Sequence, residues 1–423
     1  MRRNICVVAW DAAALFHPDC GARFGGAEVQ AYNFARGLAS LPAYDVTFVV
    51  REAGQPAEEV CDGIRVLARP HPSPKNSARR RIDRQIRSLK GQSDTPNAFG
   101  QARLKALQLQ SRLYRAASRV PYFRQRINNP RPSVIRSFSR LGADAVVTFG
   151  VNNRSADVVA SCQKYDICSI VSLVCDHELS LEYFHGSDFT GPFGEHAHLC
   201  HYVIANSDQL IVQTEFQKRV LAERFAREGA LIKNPIDLSI RAANNGRSRE
   251  PFALWIGRAE TVQKRPELCL ELAGQCPDIP FVMVMNPLKK GNLYHELVSA
   301  APSNVEFIKS VPFREIEDLF AGARAYVSTS VLEGFPNVFL EAAKYRVPIV
   351  SLDVDPDGFI ERNDCGAVAH GSLDALTAAL RRIWTDPVWA RQLGDAGRKY
   401  VEAEHAQDTQ VQALASLVEQ LCE

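Results

Sequence analysis

The sequence predicts an α/β protein made of two Rossmann-like, doubly wound parallel-sheet domains facing a cleft. Short β-prone apolar runs alternate with helical patterns along most of the chain, the rhythm of βαβ units. Two of these runs, Ala143–Gly150 and Ser169–Val174, are almost continuously apolar, as a strand covered on both faces requires. The length of 423 residues is too great for one core and calls for two or three domains. With 46% apolar and 23% charged residues the chain can bury a sizeable core. A formal net charge of +2 assigns no partner.

The first strand is Ile5–Trp10. A helix follows over 26–39, with Val29, Phe34 and Leu38 on its apolar face, and Tyr44–Val50 completes a βαβ unit. Gly25 and Gly26 open that helix and allow its N-terminus to come close to a ligand, although the pattern is not G-x-G-x-x-G. The segment from about 75 to 140 is strongly basic: Arg79, Arg80, Arg81, Arg84 and Arg87 open it, and Asp83 and Asp94 are its only acids. Leu104, Leu107 and Leu113 give part of it an amphipathic helical cast. It suits an anionic membrane surface or a phosphorylated acceptor, or equally a solvated helical insertion; no nucleic-acid partner is expected.

The strand ending at Val174 runs into Cys175-Asp-His-Glu178. Polar side chains at such an edge are candidate ligand contacts, so Asp176 and His177 are candidate site residues. His196, His198, Cys200 and His201 are metal-ligating types, but their alternate spacing suits a strand and their surroundings read as helix, so no metal is predicted there. Eleven cysteines without repeated spacing predict reduced thiols of a cytoplasmic protein. Residues 1–237 form the expected first domain, 238–250 a polar linker, 251–405 the second domain and 406–423 a final helix.

In the second domain Phe252–Arg258 is a strand, and Lys264 lies six residues beyond its end. Two such cations neutralise a diphosphate, the arginine as a planar fork and the lysine as a point charge; surface ion pairing is the alternative. Strands at Ile279–Met285, Val305–Ile308 and Ala325–Ser328 follow. Then comes Glu333-Gly-Phe-Pro-Asn-Val-Phe-Leu-Glu341 and a strand from Val347. Pro336 suits a first helical position. The free N–H groups of Asn337, Val338 and Phe339 would then attract an anion. Glu341, roughly 7 Å further along the helix, and Glu333 bracket that anion, a spacing that suits a sugar nucleotide. A helix cap and a solvated glutamate are the competing reading.

This stretch resembles the signature of the family 4 retaining glycosyltransferases of GT-B fold, in which two glutamates separated by seven residues flank a Gly-Phe turn. The resemblance implies transfer of a hexose-type sugar from a nucleoside-diphosphate sugar to a carbohydrate or lipid-linked hydroxyl acceptor, in polysaccharide or glycolipid biosynthesis. It implies a catalytic set of Glu333, Arg258, Lys264 and His177. It gives donor-binding roles to Gly25, Gly26, Arg258, Lys264, Glu333, Gly334, Phe335, Pro336, Asn337, Val338 and Glu341, with Glu333 at the sugar and Glu341 at the ribose. The pattern around Asp176 and His177 departs from the family's commoner His-Asp form. Val311–Phe313 falls where a base-stacking segment would sit, Asn234-Pro-Ile-Asp237 resembles the turn closing the first GT-B domain, and the helix over 408–421 would cross back to it. Asp353-Val-Asp-Pro-Asp357 has Asp-x-Asp spacing but follows the key strand, and GT-B enzymes need no such metal; no cofactor is expected. The protein is expected in the cytoplasm, with 75–140 a candidate for resting on the inner membrane face. A 2-epimerase of the same fold and a non-catalytic sugar-nucleotide-binding protein are the alternatives.

Overall fold

The computed structural model describes residues 2–21, 23–69, 105–107, 109–110, 129–130, 141–240, 250–288 and 291–422. Within them the chain forms two sheets. The first comprises β1 (Arg3–Val8), β2 (Tyr44–Arg51), β3 (Glu58–Cys61), β4 (Ile64–Arg69), β5 (Ala145–Phe149), β6 (Cys168–Ser172), β7 (Gln209–Val212) and β8 (Gly229–Leu231), in the order β3-β4-β2-β1-β5-β6-β7-β8. Every pair is parallel except the β3–β4 hairpin. The second comprises β9 (Phe252–Arg258), β10 (Phe281–Asn286), β11 (Val305–Ile308), β12 (Ala323–Ser328), β13 (Ile349–Ser351) and β14 (Gly366–Val368), in the order β11-β10-β9-β12-β13-β14, parallel throughout. Both sheets are doubly wound, so the fold class read from the sequence holds. Strand order reverses between β1 and β5 and between β9 and β12, and ligands collect outside the strand ends at such switch points.

The strands form where the apolar runs lie. All five residues of β5 are buried, as are four of the five in β6, because helices cover both faces. Helix starts follow side-chain chemistry: Asn152 accepts from the Arg154 and Ser155 N–H groups to start the helix Asn153–Tyr165, and Thr214 accepts from Gln217 to start Glu215–Phe225.

The last helix, Gln407–Leu421, belongs to the first domain's core although it follows the second domain. Its Val411, Leu414, Ala415 and Val418 are buried with Ile5, Phe34, Leu38 and Phe48. Burying each large aliphatic there is worth about 1.5–3 kcal/mol. Gly37, on the helix Gly26–Ser40, makes the approach possible: a Cβ there would lie 2.3 Å from Val411 Cγ2. The chain crosses over at His405, where Ile236 N–H donates to His405 O at 2.9 Å and Gln407 N–H donates to Ile236 O at 3.1 Å.

Apart from 105–107, 109–110 and 129–130, the basic segment 75–140 lies outside the described residues, as do 241–249 of the polar linker. No helix among the described residues is long and apolar enough to cross a membrane. All eleven cysteines are free thiols.

Candidate functional site

β9 ends at Arg258, and the turn beyond it is built by Glu260. Its carboxylate accepts the N–H groups of Val262, Gln263 and Lys264 at 3.0, 3.1 and 3.0 Å. Three consecutive backbone donors drawn to one carboxylate fold residues 260–264 back toward the end of β12. Lys264 thereby pairs with Glu333, both largely buried at 18% and 12% side-chain exposure. Gln263 Nε2 bridges to Glu333 Oε2 at 3.2 Å and Leu332 O at 2.6 Å, and Arg258 Nη2 donates to Gln263 Oε1 at 2.8 Å. Arg258, Lys264 and Glu333 therefore meet at the β9/β12 switch point. Gln263 joins them and was not singled out from the sequence, although it lies between the two cations.

The loop after Glu333 is pressed against the first domain. Asp176 N–H donates to Glu333 O at 3.1 Å. A Cβ on Gly334 would stand 2.8 Å from both Val174 O and Gln213 Oε1, so only glycine lets the domains approach this closely. Phe335 N–H donates to Gln213 Oε1 at 2.9 Å, and Gln213 Nε2 donates to Leu173 O at 2.7 Å and Gln30 Oε1 at 3.2 Å. The Phe335 amide expected at the donor is thus occupied by Gln213. Its ring is buried beside Phe359 and His405, with centroids 4.9 and 4.6 Å away. Gln213 directly follows the apolar run of β7, at the strand's C-terminal edge, and that position is the one signal the sequence offers for it.

Pro336 is the N-cap, with φ −65° and ψ 122°, and the helix begins at Asn337, one residue later than expected. Proline's fixed φ is met, but its ψ remains extended. Asn337 Nδ2 donates to Gly26 O at 2.7 Å, and Asn234 Nδ2 donates to Phe335 O at 2.9 Å and Asn337 Oδ1 at 3.0 Å. The Gly25-Gly26 turn and the Asn337–Lys344 helix mouth therefore face each other, with Val338 in the helix's first turn. Gly25 N–H is taken by Glu28 Oε2 at 2.8 Å.

Glu341 lies one turn into this helix. Its Oε2 is buried and has no hydrogen-bond partner among the described residues. Burial pushes its carboxyl pKa up to about 7, Glu317 and Asp237 push the same way, and Lys344 opposes them. Lys344 itself pairs with Glu317 at 2.8 Å. A buried carboxylate oxygen without a donor is costly and suits a hydroxyl-bearing ligand.

His177 lies in the turn Asp176–Leu179, 15% exposed and 3.3 Å from Glu195 Oε1. Burial opposes its charge, but the Cys175 and Glu195 side chains outweigh burial and raise its pKa to about 10. Phe193 connects it to the cation cluster: the ring meets His177 edge-on at 4.9 Å and carries Arg258 Cζ 5.7 Å from its centroid. Asp176 accepts from Gln217 Nε2 at 2.9 Å, and burial raises its pKa to about 6.

A cavity of about 120 Å³ opens at the β1/β5 switch point, lined in part by Trp10, Glu28, Thr148, Asn152, Arg154 and Glu178. Burial raises the pKa of Glu28, and that of Glu178 to about 7. Phe313, in the segment expected to stack on a base, packs edge-on against Phe24 and Tyr32 of the first domain. Asp353 pairs with Arg265, Asp355 accepts from Ile360 N–H at 2.8 Å, and Asp357 accepts from Glu215 and Phe216 N–H across the cleft at 2.8 and 3.0 Å. Residues 197–206 are helical, and His196 and His198 stand with ring centroids 6.1 Å apart.

Two doubly wound sheets with charged side chains gathered at the switch point of the second define a GT-B protein. Residues 250–386, the span of the second sheet and its helices, match the family model described as "Glycosyl transferases group 1". The chain is 21% identical over 172 residues to glycosyltransferase 1 domain-containing protein 1 of Xenopus tropicalis, covering 41% of this chain and 47% of that protein. It spans less than half the length of the curated relatives it matches. Among solved structures, sucrose-phosphate synthase from Thermosynechococcus elongatus is similar with TM-score 0.71 at 17% identity, over 99% of both chains. An Anabaena protein solved with UDP and glucose is similar with TM-score 0.62 at 12% identity, over 99% of this chain and 100% of that one. These likenesses carry the fold.

Proposed function

We propose that the protein is a retaining glycosyltransferase moving a sugar from a nucleoside-diphosphate sugar to a hydroxyl acceptor, carbohydrate or lipid-linked, in polysaccharide or glycolipid assembly. The observation that carries this reading is the meeting of Arg258, Lys264 and Glu333 beside a helix whose Glu341 has a buried oxygen without a partner. The UDP and glucose bound by the Anabaena protein make UDP-sugars the first donors to try.

In this mechanism the Lys264–Glu333 pair holds two half-desolvated charges neutral until the donor arrives. Lys264 and Arg258 then turn to the diphosphate, Glu333 accepts from sugar hydroxyls, and Glu341 accepts from the ribose. The bond from the anomeric carbon to the phosphate oxygen breaks as the acceptor oxygen bonds the same face, and the acceptor's proton passes to the departing phosphate. The two cations and the N–H groups of the helix mouth stabilise the charge developing on that leaving group, so no enzyme nucleophile and no metal is required. The acceptor enters from the first domain, where the cavity at the β1/β5 switch point offers Glu28, Asn152 and Glu178 to hydroxyls. The interdomain contacts at Gly334 and Phe335 exclude the water that would hydrolyse the donor.

The test is incubation with radiolabelled UDP- and GDP-sugars, following donor hydrolysis and its anomeric outcome. Slow hydrolysis with retained configuration supports the reading, and Lys264→Ala and Glu333→Ala should each abolish it while leaving the melting profile in place. Near-wild-type turnover by either variant removes the site assignment.

A further inference from the structure

At the outer edge of the first sheet, away from the cation cluster, His17, Glu59 and Cys61 converge. One potential ligand atom from each lies within 4.8 Å of the others. The strand chemistry brings this about. β3 and β4 are joined by the two-residue Asp62-Gly63 turn, both residues at positive φ (50° and 77°), the Asp-Gly hairpin that closes a two-stranded ribbon in one register. In that register Glu59 and Cys61 are two apart, and side chains two apart on a strand share a face. Val60 between them points the other way and is 73% exposed, which fixes the shared face as the inward one. His17 comes from the opposite direction. It follows the short helix Ala13–Phe16, whose Leu15 is buried and whose Phe16 ring packs edge-on against Tyr32 and Phe48, with centroids 5.3 and 5.0 Å away. Its imidazole thereby sits over the two strand residues and contacts Glu59.

We propose that His17, Glu59 and Cys61 form a zinc(II) site that pins the β3–β4 hairpin to the segment leading into the Gly25-Gly26 turn. An imidazole nitrogen, a carboxylate oxygen and a thiolate sulfur are the donor types that zinc takes. The thiolate selects against magnesium and calcium, which prefer oxygen. The three side chains occupy three of four tetrahedral positions and leave the fourth to solvent. With His17 and Glu59 only 23% and 22% exposed, the ion is shielded but reachable. The ion would tie β3, a four-residue edge strand hydrogen-bonded to one neighbour only, to the segment that follows the helix Ala13–Phe16. The segment from His17 to Gly25 gains a fixed anchor near its start.

The experiment uses the full chain, stripped with a chelator and dialysed, then titrated with Zn²⁺ alone against a chromogenic competitor. Cobalt(II) substitution is followed in parallel by its thiolate-to-metal charge-transfer absorption. The wild-type chain should take one equivalent tightly and show the cobalt–thiolate band. Cys61→Ser and His17→Ala should each weaken zinc binding by at least roughly 100-fold, the upper end of the loss seen when even a supporting residue is removed, and Cys61→Ser should abolish the band. Circular dichroism spectra of the stripped variants, matched to the stripped wild type, establish that they are folded; Glu59→Gln serves in place of any variant that is not. Binding that persists unchanged in these variants places the metal on other thiols and overturns the proposal. So does the absence of a tight equivalent in the wild type, which leaves His17 and Glu59 as a hydrogen-bonded pair.

Discussion

Replacing Glu341 by glutamine separates the cost of this side chain from its use. The carboxyl is raised from 4.5 to about 7 chiefly by burial, with Glu317 and Asp237 adding to it. A native-state pKa above the unfolded value means that the folded chain binds the extra proton between those limits. Stability is therefore full below about pH 4.5, falls as pH rises through about 7, and levels off above it. That interval corresponds to about 3 kcal/mol, an upper bound on what the charged form costs the free protein. Glu341→Gln keeps the shape and removes the charge, so at about pH 8 it should be the more stable protein by up to about 3 kcal/mol, whereas near pH 5 the two should converge. Donor binding should move oppositely. In the proposed donor pose the ribose hydroxyls would lose a charged acceptor worth about 1.5–3 kcal/mol, so the donor dissociation constant should rise roughly ten- to hundredfold at about pH 8. Wild-type donor affinity should itself improve as pH rises through about 7. Denaturant melts at the two pH values and calorimetric titration with UDP or a UDP-sugar provide the readouts. A variant no more stable than wild type at about pH 8, or one that binds donor as well, would refute the argument that this oxygen is both desolvated and reserved for ligand.

Gly334→Ala drives a methyl into Val174 O and Gln213 Oε1. It should disfavour the closed arrangement by about 1–3 kcal/mol, seen as a larger radius of gyration by small-angle scattering together with lost turnover; unchanged compactness would show that the loop yields freely. Asp357→Ala removes the acceptor of two N–H groups at the start of Glu215–Phe225 and should cost about 1 kcal/mol, read as faster amide exchange at Glu215 and Phe216, with equal exchange counting against an interdomain cap. His405 is buried, donates from Nδ1 to Asn234 O at 2.9 Å, and burial lowers its pKa to about 4. A depressed pKa gives stability that is present above about pH 6.5 and is lost as pH falls toward 4, about 3 kcal/mol in all. His405→Asn should flatten that acid slope in denaturant melts; an unchanged slope would assign the acid loss elsewhere.

Much of the architecture was legible because its causes are local. Apolar runs such as Ala145–Phe149 are unbroken because both faces are covered, and that same fact is visible in the residues themselves. The glutamate pair and the two cations could be singled out because their chemistry and spacing differ from those of ordinary helix and strand residues. The partners that complete the site were harder to see. Gln263, Gln213 and Gln217 are amides whose value lies in what they face, and Phe193 reaches Arg258 from the opposite domain.

Phe335 and Phe313 were singled out for their place in motifs, and the structure adds what their rings touch: Phe359 and His405 for the one, Phe24 and Tyr32 for the other. The linear chain by itself determined two doubly wound α/β domains and a set of charges suited to a diphosphate, since periodicity and residue chemistry are properties of neighbours along the backbone. Only the tertiary structure decided that Gln213 takes the Phe335 amide, that Glu341 keeps a desolvated oxygen, and that His17, Glu59 and Cys61 converge. Those facts depend on burial and on contacts between residues tens to hundreds of positions apart, which the spacing along a chain does not encode.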